Sequence, residues 1–242
     1  EGEFKKITPS PKCWIFTSGG GATHGSINVM QALAQSCNYF FYEMGYRLGT
    51  NSKGNYDSAL GLSKIEKYAK VLGLDMKSGV EITERDPHFS TESAVHSAIG
   101  QGSNAYTPVQ LARYVSTIAN GGKNYSLTLL DKVVSSKGKT VLKKKSKLTN
   151  TVDASGSTWD AIHTGMREVI TECTVYKYFK DTKINIAGKS GTAQENKKRN
   201  SHALFVAYAP YDNPKIATSV VIPFGNSSHD SAELAKNVIQ YY

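Results

Sequence analysis

The sequence predicts an α+β fold in which an antiparallel sheet packs between helices. Three observations predict it. Apolar residues recur at helical spacing in several stretches between residues 27 and 170, and three short apolar runs separated by turn residues follow between 184 and 222. A last helix closes the chain. Helices first, then consecutive strands, then a terminal helix is the order of an α+β architecture.

In order, residues 1–25 read as loop, rich in Pro, Ser and Gly. Ile27, Met30, Leu33, Ala34, Phe41, Met44 and Tyr46 then keep helical spacing as far as Leu48, interrupted by Ser36, Cys37 and Asn38. These three prefer turns and caps, so the stretch reads as two helices with a corner between them. A further helix is expected over 63–72, with Ser63 and Glu66 as its capping box. Thr107-Pro108 opens another, which runs to the stop at Asn120-Gly121-Gly122. Residues 127–142 read as a hairpin turning at Lys137-Gly138, and 159–170 as a helix. Strands are expected at 184–189, 202–208 and 216–222, with a hairpin turn over 209–214. The final helix is expected after Asp230, with Glu233 completing its cap. No internal repeat or low-complexity linker divides the 242 residues, so one domain is the simplest count.

Composition excludes several classes. The 39% hydrophobic and 20% charged content is that of a globular protein rather than a disordered one. No stretch approaches the roughly 18 apolar residues of a membrane-spanning helix, and the start, EGEFKKITPS, has no apolar signal core. The chain is expected to be soluble as given, with a targeting region left off before its abrupt start. The net charge of +9 is concentrated in Lys137, Lys139, Lys143, Lys144, Lys145 and Lys147, and again in Lys197, Lys198 and Arg199. The first cluster has neither the arginines nor the interleaved aromatics of a nucleic-acid site, so no nucleic-acid partner is expected and a solvated hairpin is. The three cysteines do not form a disulfide framework.

Two short motifs carry chemistry. Gly188-Lys189-Ser190-Gly191-Thr192 is expected at the end of a strand. It sets a fixed positive charge beside hydroxyl donors and a bare backbone, which suits an extended peptide added to a sheet edge with its carboxylate held by Lys189 and the hydroxyls. The same residues also describe an exposed lysine at a β-turn, and they lack the upstream glycine of a phosphate-binding loop. Ser36-Cys37-Asn38 can present two polar side chains to a cleft from one corner, Ser36 relaying a proton and Asn38 binding an amide; it can equally be a polar helix break.

In this order, S-x-N followed by K-[ST]-G resembles the second and third signatures of the penicillin-recognising serine enzymes. GSINV at 25–29, ALAQSCNYFFY at 32–42, IGQG at 99–102, TPVQLA at 107–112 and HALFVAYAP at 202–210 extend the likeness over nearly the whole chain. The chain is identified as a member of the class B penicillin-binding proteins, resembling the elongation-type and sporulation-type D,D-transpeptidases most. The resemblance implies a penicillin-binding, serine β-lactamase-like transpeptidase fold. It implies acyl transfer at the D-Ala-D-Ala amide of a peptidoglycan stem peptide, and acylation by β-lactams that mimic it. In that scheme Ser36 belongs to the proton relay, Asn38 positions the substrate amide and Lys189 supplies positive potential. Ser190 and Thr192 bind the terminal carboxylate, Gly191 permits close approach, and the backbone N–H of Thr192 forms half of an oxyanion hole.

The family's first signature, S-x-x-K, does not occur before Ser36; the one formal match, Ser136 to Lys139, falls in the basic hairpin, out of order. The chain is therefore expected to be a transpeptidase domain whose nucleophile lies on an upstream segment of the same protein. The resemblance also implies an extracytoplasmic location at the bacterial cell membrane and a cell-wall glycosyltransferase partner. A D,D-carboxypeptidase or a β-lactamase is the alternative within the class, and a non-catalytic penicillin-sensing module the alternative outside it.

Cys13, His24 and Cys37 follow the spacing C-x10-H-x12-C, which by itself also fits a buried thiol and a loop histidine. Family members that hold a zinc beside the active site place ligands in this loop-to-helix stretch. The resemblance thus implies a structural zinc on Cys13, His24 and Cys37, with an aspartate before Glu1, or Glu1 itself, as fourth ligand. Cys173 is expected to be ordinary.

Overall fold

The structure is a computed structural model and describes residues 1–173, 175–195 and 198–242. Lys197 of the second basic cluster lies outside the described residues.

The main sheet has three strands, β5 (Ala187–Ala193), β6 (His202–Ala209) and β7 (Ile216–Ile222), antiparallel and in the order β5-β6-β7. Its register is unbroken, from Ala187 opposite Tyr208 to Ala193 opposite His202. Strand β6 is apolar from Ala203 on because both faces of the sheet are covered, and its alternate residues enter two different cores. Phe205, Ala207 and Ala209 join Val169, Ile170, Phe179, Ile186 and the inner face of α9 (Ser228–Tyr241), namely Ala232, Ala235 and Ile239. Tyr208 joins Val115, Ile118 and Ala119 of α6 (Pro108–Ala119) and Met166 of α7 (Gly156–Thr171). The antiparallel sheet between helices expected from the sequence is present.

The helices nearest the S-x-N triplet precede the sheet. Helix α1 (Trp14–Ser18) is a short turn inside the segment expected to be loop. Helix α2 (Val29–Ala34) and helix α3 (Asn38–Gly49) meet at Ser36 and Cys37, the corner expected from the sequence. Asn28 caps α2: its Oδ1 accepts from Gln31 N at 2.9 Å while its own N–H donates to Gln31 Oε1 at 3.0 Å. Asn28→Ala is expected to cost about 1 kcal/mol, read as a lower midpoint in chemical denaturation. Thr107 and Gln110 form the same box ahead of α6, with Pro108 in the first turn.

Three boundaries differ from expectation. Helix α4 (Ser58–Val71) starts five residues before Ser63, capped by Asp57, whose Oδ1 accepts from Ala59 N at 2.8 Å. Ser63 is therefore interior and turns its hydroxyl back to Leu60 O. Helix α9 starts at Ser228 behind Ser227, so Asp230 lies in the first turn, where its charge favours the helix dipole, and Glu233 pairs with Lys236 at 3.9 Å. Strand β5 lies later than 184–189, because its extent is set by pairing with β6 and not by its own apolar run. Lys189, Ser190 and Gly191 consequently sit within the strand rather than at its end.

The basic segment forms the expected hairpin, β2 (Lys132–Val134) against β3 (Thr140–Lys143), exposed throughout. It is joined to the body through Lys144, which pairs with Glu81 at 3.1 Å. Strands β1 (Lys123–Tyr125) and β4 (Leu148–Thr151) pair beside it, and α5 (Ala94–Ser97) and α8 (Tyr176–Phe179) complete the described elements. Among the described residues no helix is long and apolar enough to cross a membrane.

Candidate active site

The corner between α2 and α3 is tight. Cys37 N–H donates to Ala32 O at 2.9 Å and Ser36 N–H to Leu33 O at 3.2 Å. To turn that sharply Ser36 adopts φ of 51°, a left-handed backbone that costs a non-glycine residue roughly 1 kcal/mol or more. The turn brings Ser36 against the middle of β5, 153 positions along the chain, where Lys189 Nζ donates to Ser36 Oγ and, at 2.8 Å, to Ser190 O. Desolvation holds the Lys189 ammonium down at about 8, so near neutral pH it is still charged but close to releasing its proton.

Strand β5 ends the sheet on one side, so its outer edge has no strand partner among the described residues. Ser190 and Gly191 are half-buried on it and Thr192 is exposed. A Cβ at Gly188 would come within 2.8 Å of Phe205 and of Val206 O, so packing requires that glycine. A Cβ at Gly191 would meet only Leu204, at 3.4 Å. Packing therefore does not demand glycine at 191, and its effect is to leave the strand surface bare. An edge without a strand partner, with a bare stretch and adjacent hydroxyls, can take an extended peptide by strand addition in exchange for the side-chain contacts that Lys189 and Gln101 make to Ser190 O and Thr192 O. Asn38, the first residue of α3, lines a cavity of about 500 Å³ that opens beside this edge.

Gln101, in the IGQG stretch, donates from Nε2 to Thr192 O at 3.3 Å and so ties that loop to β5. Glu92 and His96, which line the same cavity, carry no motif at all. Neither signal was available without the tertiary contact.

Cys13, His24 and Cys37 converge as well: one ligand atom from each lies within 4.8 Å of the others, with both cysteines buried. The loop is folded back onto α3 by Phe4, fully buried and stacked edge-on against Tyr39 and Tyr46 at 5.7 Å, and by Cys13 N–H donating to Gly2 O at 2.8 Å. The donor set fits zinc. Cys13 Sγ lies 3.7 Å from His24 Nδ1, and ligands at typical Zn–S and Zn–N distances in a tetrahedron are about 3.6 Å apart. The two sulfurs share a hydrogen bond that pulls the Cys13 thiol down to about 5 and pushes that of Cys37 up. Two neighbouring thiolates need a cation between them to ionise together. Glu1 does not join the cluster; its carboxylate takes the Tyr39 hydroxyl at 2.7 Å. Cys173 stands apart, half-buried, its thiol pushed up by burial.

The family description "Penicillin binding protein transpeptidase domain" matches residues 9–240. The chain is 29% identical to the peptidoglycan D,D-transpeptidase MrdA of Haemophilus influenzae, over 90% of this chain and 37% of that protein. It is 32% identical to penicillin-binding protein 2A of Bacillus subtilis, over 83% of this chain and 31% of that one. It thus spans about a third of the length of these curated relatives. The solved structure of penicillin-binding protein 2B from Streptococcus pneumoniae superposes with a TM-score of 0.79 at 26% identity, over 95% of this chain and 41% of that chain. With the fold, the order of the two motifs and the family match running together over nearly its full length, this chain belongs to the penicillin-binding protein transpeptidase domain family.

Proposed function

We propose that the chain is the part of a peptidoglycan D,D-transpeptidase that binds and orients the donor stem peptide and the β-lactams that mimic its D-Ala-D-Ala end. The observation that carries this reading is the contact of the Lys189 ammonium with the Ser36 hydroxyl beside an open strand edge. A hydroxyl with a cation close to its own deprotonation can pass a proton between a nucleophile and a leaving amine.

In this reading Ser36 relays that proton and Asn38 binds the donor's amide. Lys189, Ser190 and Thr192 hold its carboxylate, and the bare backbone at Gly191 lets the peptide lie against β5. The Thr192 N–H supplies one oxyanion donor, a group whose loss typically costs about 2.7–4 kcal/mol of transition-state stabilisation. The nucleophilic serine is assigned to an S-x-x-K segment of the same protein. We place the domain at the extracytoplasmic face of the bacterial cell membrane, working with a glycosyltransferase that supplies the polymer to be cross-linked.

Zinc belongs to the same reading. Cys13, His24 and Cys37 would hold it, with a fourth ligand from outside this trio. When bound it neutralises the paired thiolates and clamps the 1–25 loop to the corner that carries Ser36 and Asn38.

The test is acylation of the full-length protein by a fluorescent penicillin. A covalent label that survives denaturation is expected, and Ser36→Ala is expected to slow labelling about 100-fold. Rapid turnover of the penicillin would identify a β-lactamase instead, and release of D-Ala to water without transfer a carboxypeptidase. Failure to label would leave only a non-acylating binding module.

A further inference from the structure

Strands β2 and β3 are exposed at every residue and take no part in either core. Between Asp131 and Asp153 the chain carries seven lysines and no acidic residue, so this one segment supplies seven of the nine net positive charges. Lys144 is held by Glu81 at 3.1 Å; among the described residues the other six have no ion-pair partner.

The ribbon is nevertheless fixed at both ends. At its tip Ser135 N–H donates to Lys139 O at 2.8 Å, and Gly138, at φ of 76°, donates to Ser135 O at 2.9 Å. At its base Lys144 N–H donates to Asp131 O at 2.9 Å. This frame sets Lys132 directly opposite Lys143, and Val133 opposite Leu142. Cβ atoms of directly opposed residues are about 5 Å apart, close enough for like charges to destabilise the pairing. A two-stranded ribbon with no buried face has little to offset that repulsion. An anion lying along the ribbon offsets it.

The kind of anion follows from the residue types and their faces. Successive strand residues point to opposite faces, so Lys132 and Lys143 look one way, and Val133 and Leu142 the other. A bilayer surface needs its cations and its apolar residues on the same side, which this ribbon does not offer. The segment has no arginine to fork onto carboxylates and no aromatic ring to stack a base, whereas lysine meets a phosphate as a flexible point charge. Lys137 and Lys139 at the tip lie about 15 Å from Lys132 and Lys143 at about 3.3 Å per strand residue, so the ligand is extended rather than a single ion. We infer that the hairpin docks a linear polymer of phosphodiesters, the chemistry of an anionic cell-wall polymer, and so holds the domain against the wall. This rests on the extracytoplasmic placement proposed above and not on the donor-site roles.

The experiment measures binding of poly(glycerol phosphate) to the full-length protein between about 50 and 200 mM salt. The logarithm of the association constant is expected to fall against the logarithm of the salt concentration with a slope of about −4, at about 0.7 released counterion for each of the six unpaired lysines. Lys132→Gln with Lys143→Gln, and separately Lys137→Gln with Lys139→Gln, are each expected to make the slope shallower by about 1.4. Arginine at the same positions is expected to keep it, and Lys180→Gln with Lys183→Gln, outside the hairpin, to leave it unchanged. Penicillin labelling is expected to match wild type in every variant, which shows that fold and donor site are intact. No binding of the polymer, a slope near zero, or an equal change in the Lys180 and Lys183 variant would overturn the assignment. So would hairpin variants that bind the polymer normally but lose recovery on phosphatidylglycerol vesicles relative to phosphatidylcholine vesicles, a result that assigns the hairpin to a membrane. A wild-type protein that binds the polymer but does not label would leave this inference standing and overturn the acyl-transfer reading instead.

Discussion

Replacing Lys189 with methionine is expected to lower penicillin acylation of the full-length protein about 1,000-fold while making it more resistant to heat. The two effects come from one cause. Lys189 carries its charge in a desolvated place because Ser36 Oγ and Ser190 O receive its protons, and that charge is proposed to hold the substrate carboxylate and to serve the Ser36 relay. Without it both tasks fail together, which is why the loss is set at the upper end of the range for one preorganised electrostatic group, about 100- to 1,000-fold.

Stability moves the other way because the ammonium is disfavoured in the folded state, where it titrates at about 8 instead of 10.5. Below about pH 8 the lysine is charged in both states and the folded protein bears the whole cost, on the order of 3 kcal/mol. Between about 8 and 10.5 the folded state has released a proton that the unfolded chain still holds, so stability rises with pH across that window. Methionine removes the cost at neutral pH. Differential scanning calorimetry at pH 7 and pH 9.5 tests this: the gain in Tm over wild type is expected to be larger at pH 7. In the wild type, acylation is expected to decline as pH rises past about 8 and the ammonium discharges. A Lys189→Met protein that acylates normally, or that melts earlier than wild type at pH 7, would contradict the role given to this residue.

Removing zinc from the full-length protein is expected to lower its Tm by on the order of 10 °C, which for a domain of this size corresponds to roughly 3 kcal/mol. The metal-free cluster is an awkward one. Cys13 and Cys37 share one hydrogen bond and cannot both ionise, and the buried Nε2 of His24 has no partner among the described residues. Elemental analysis is expected to find one zinc per chain, lost on chelation and restored by added Zn²⁺. Cys13→Ser and Cys37→Ser are expected to reproduce the loss of Tm without chelator. Acylation is expected to fall with the metal, because Cys37 lies between Ser36 and Asn38 and the left-handed turn at Ser36 depends on the same anchoring. Protein purified without metal and with an unchanged Tm after chelation would dispose of the proposed site.

The parts of the fold legible in the sequence were those whose cause is local. Thr107-Pro108 marks the start of its helix within one turn, and β6 is recognisable because burial on both faces leaves it no polar alternation from Ala203 on. Ser63-x-x-Glu66 satisfied the same local rule and misplaced a helix start. The true start is set by the Asp57 cap, and the first turn is held in place by Gly61, which packs against Ala94 and Gly49 where a Cβ would approach Ala94 Cβ to 2.6 Å. Local spelling cannot contain that contact. The end of β5 was misjudged for a related reason, since a strand extends as far as its neighbour pairs with it.

Function divides along the same line. The residue types of S-x-N and K-S-G, their order, and the resemblance they carry are properties of the sequence by itself, as are the lysine-rich hairpin and its unsuitability for nucleic acid. The tertiary structure decided which of those residues meet: Ser36 with Lys189 across 153 positions, Cys13 with His24 and Cys37 through a loop pinned by Phe4, and Glu92 and His96 beside Asn38 with no motif to announce them. Short-range propensities are written in neighbouring residues. Long-range proximity is the outcome of burying two cores on either side of one sheet, a sum over many weak contacts that no single stretch of the chain encodes.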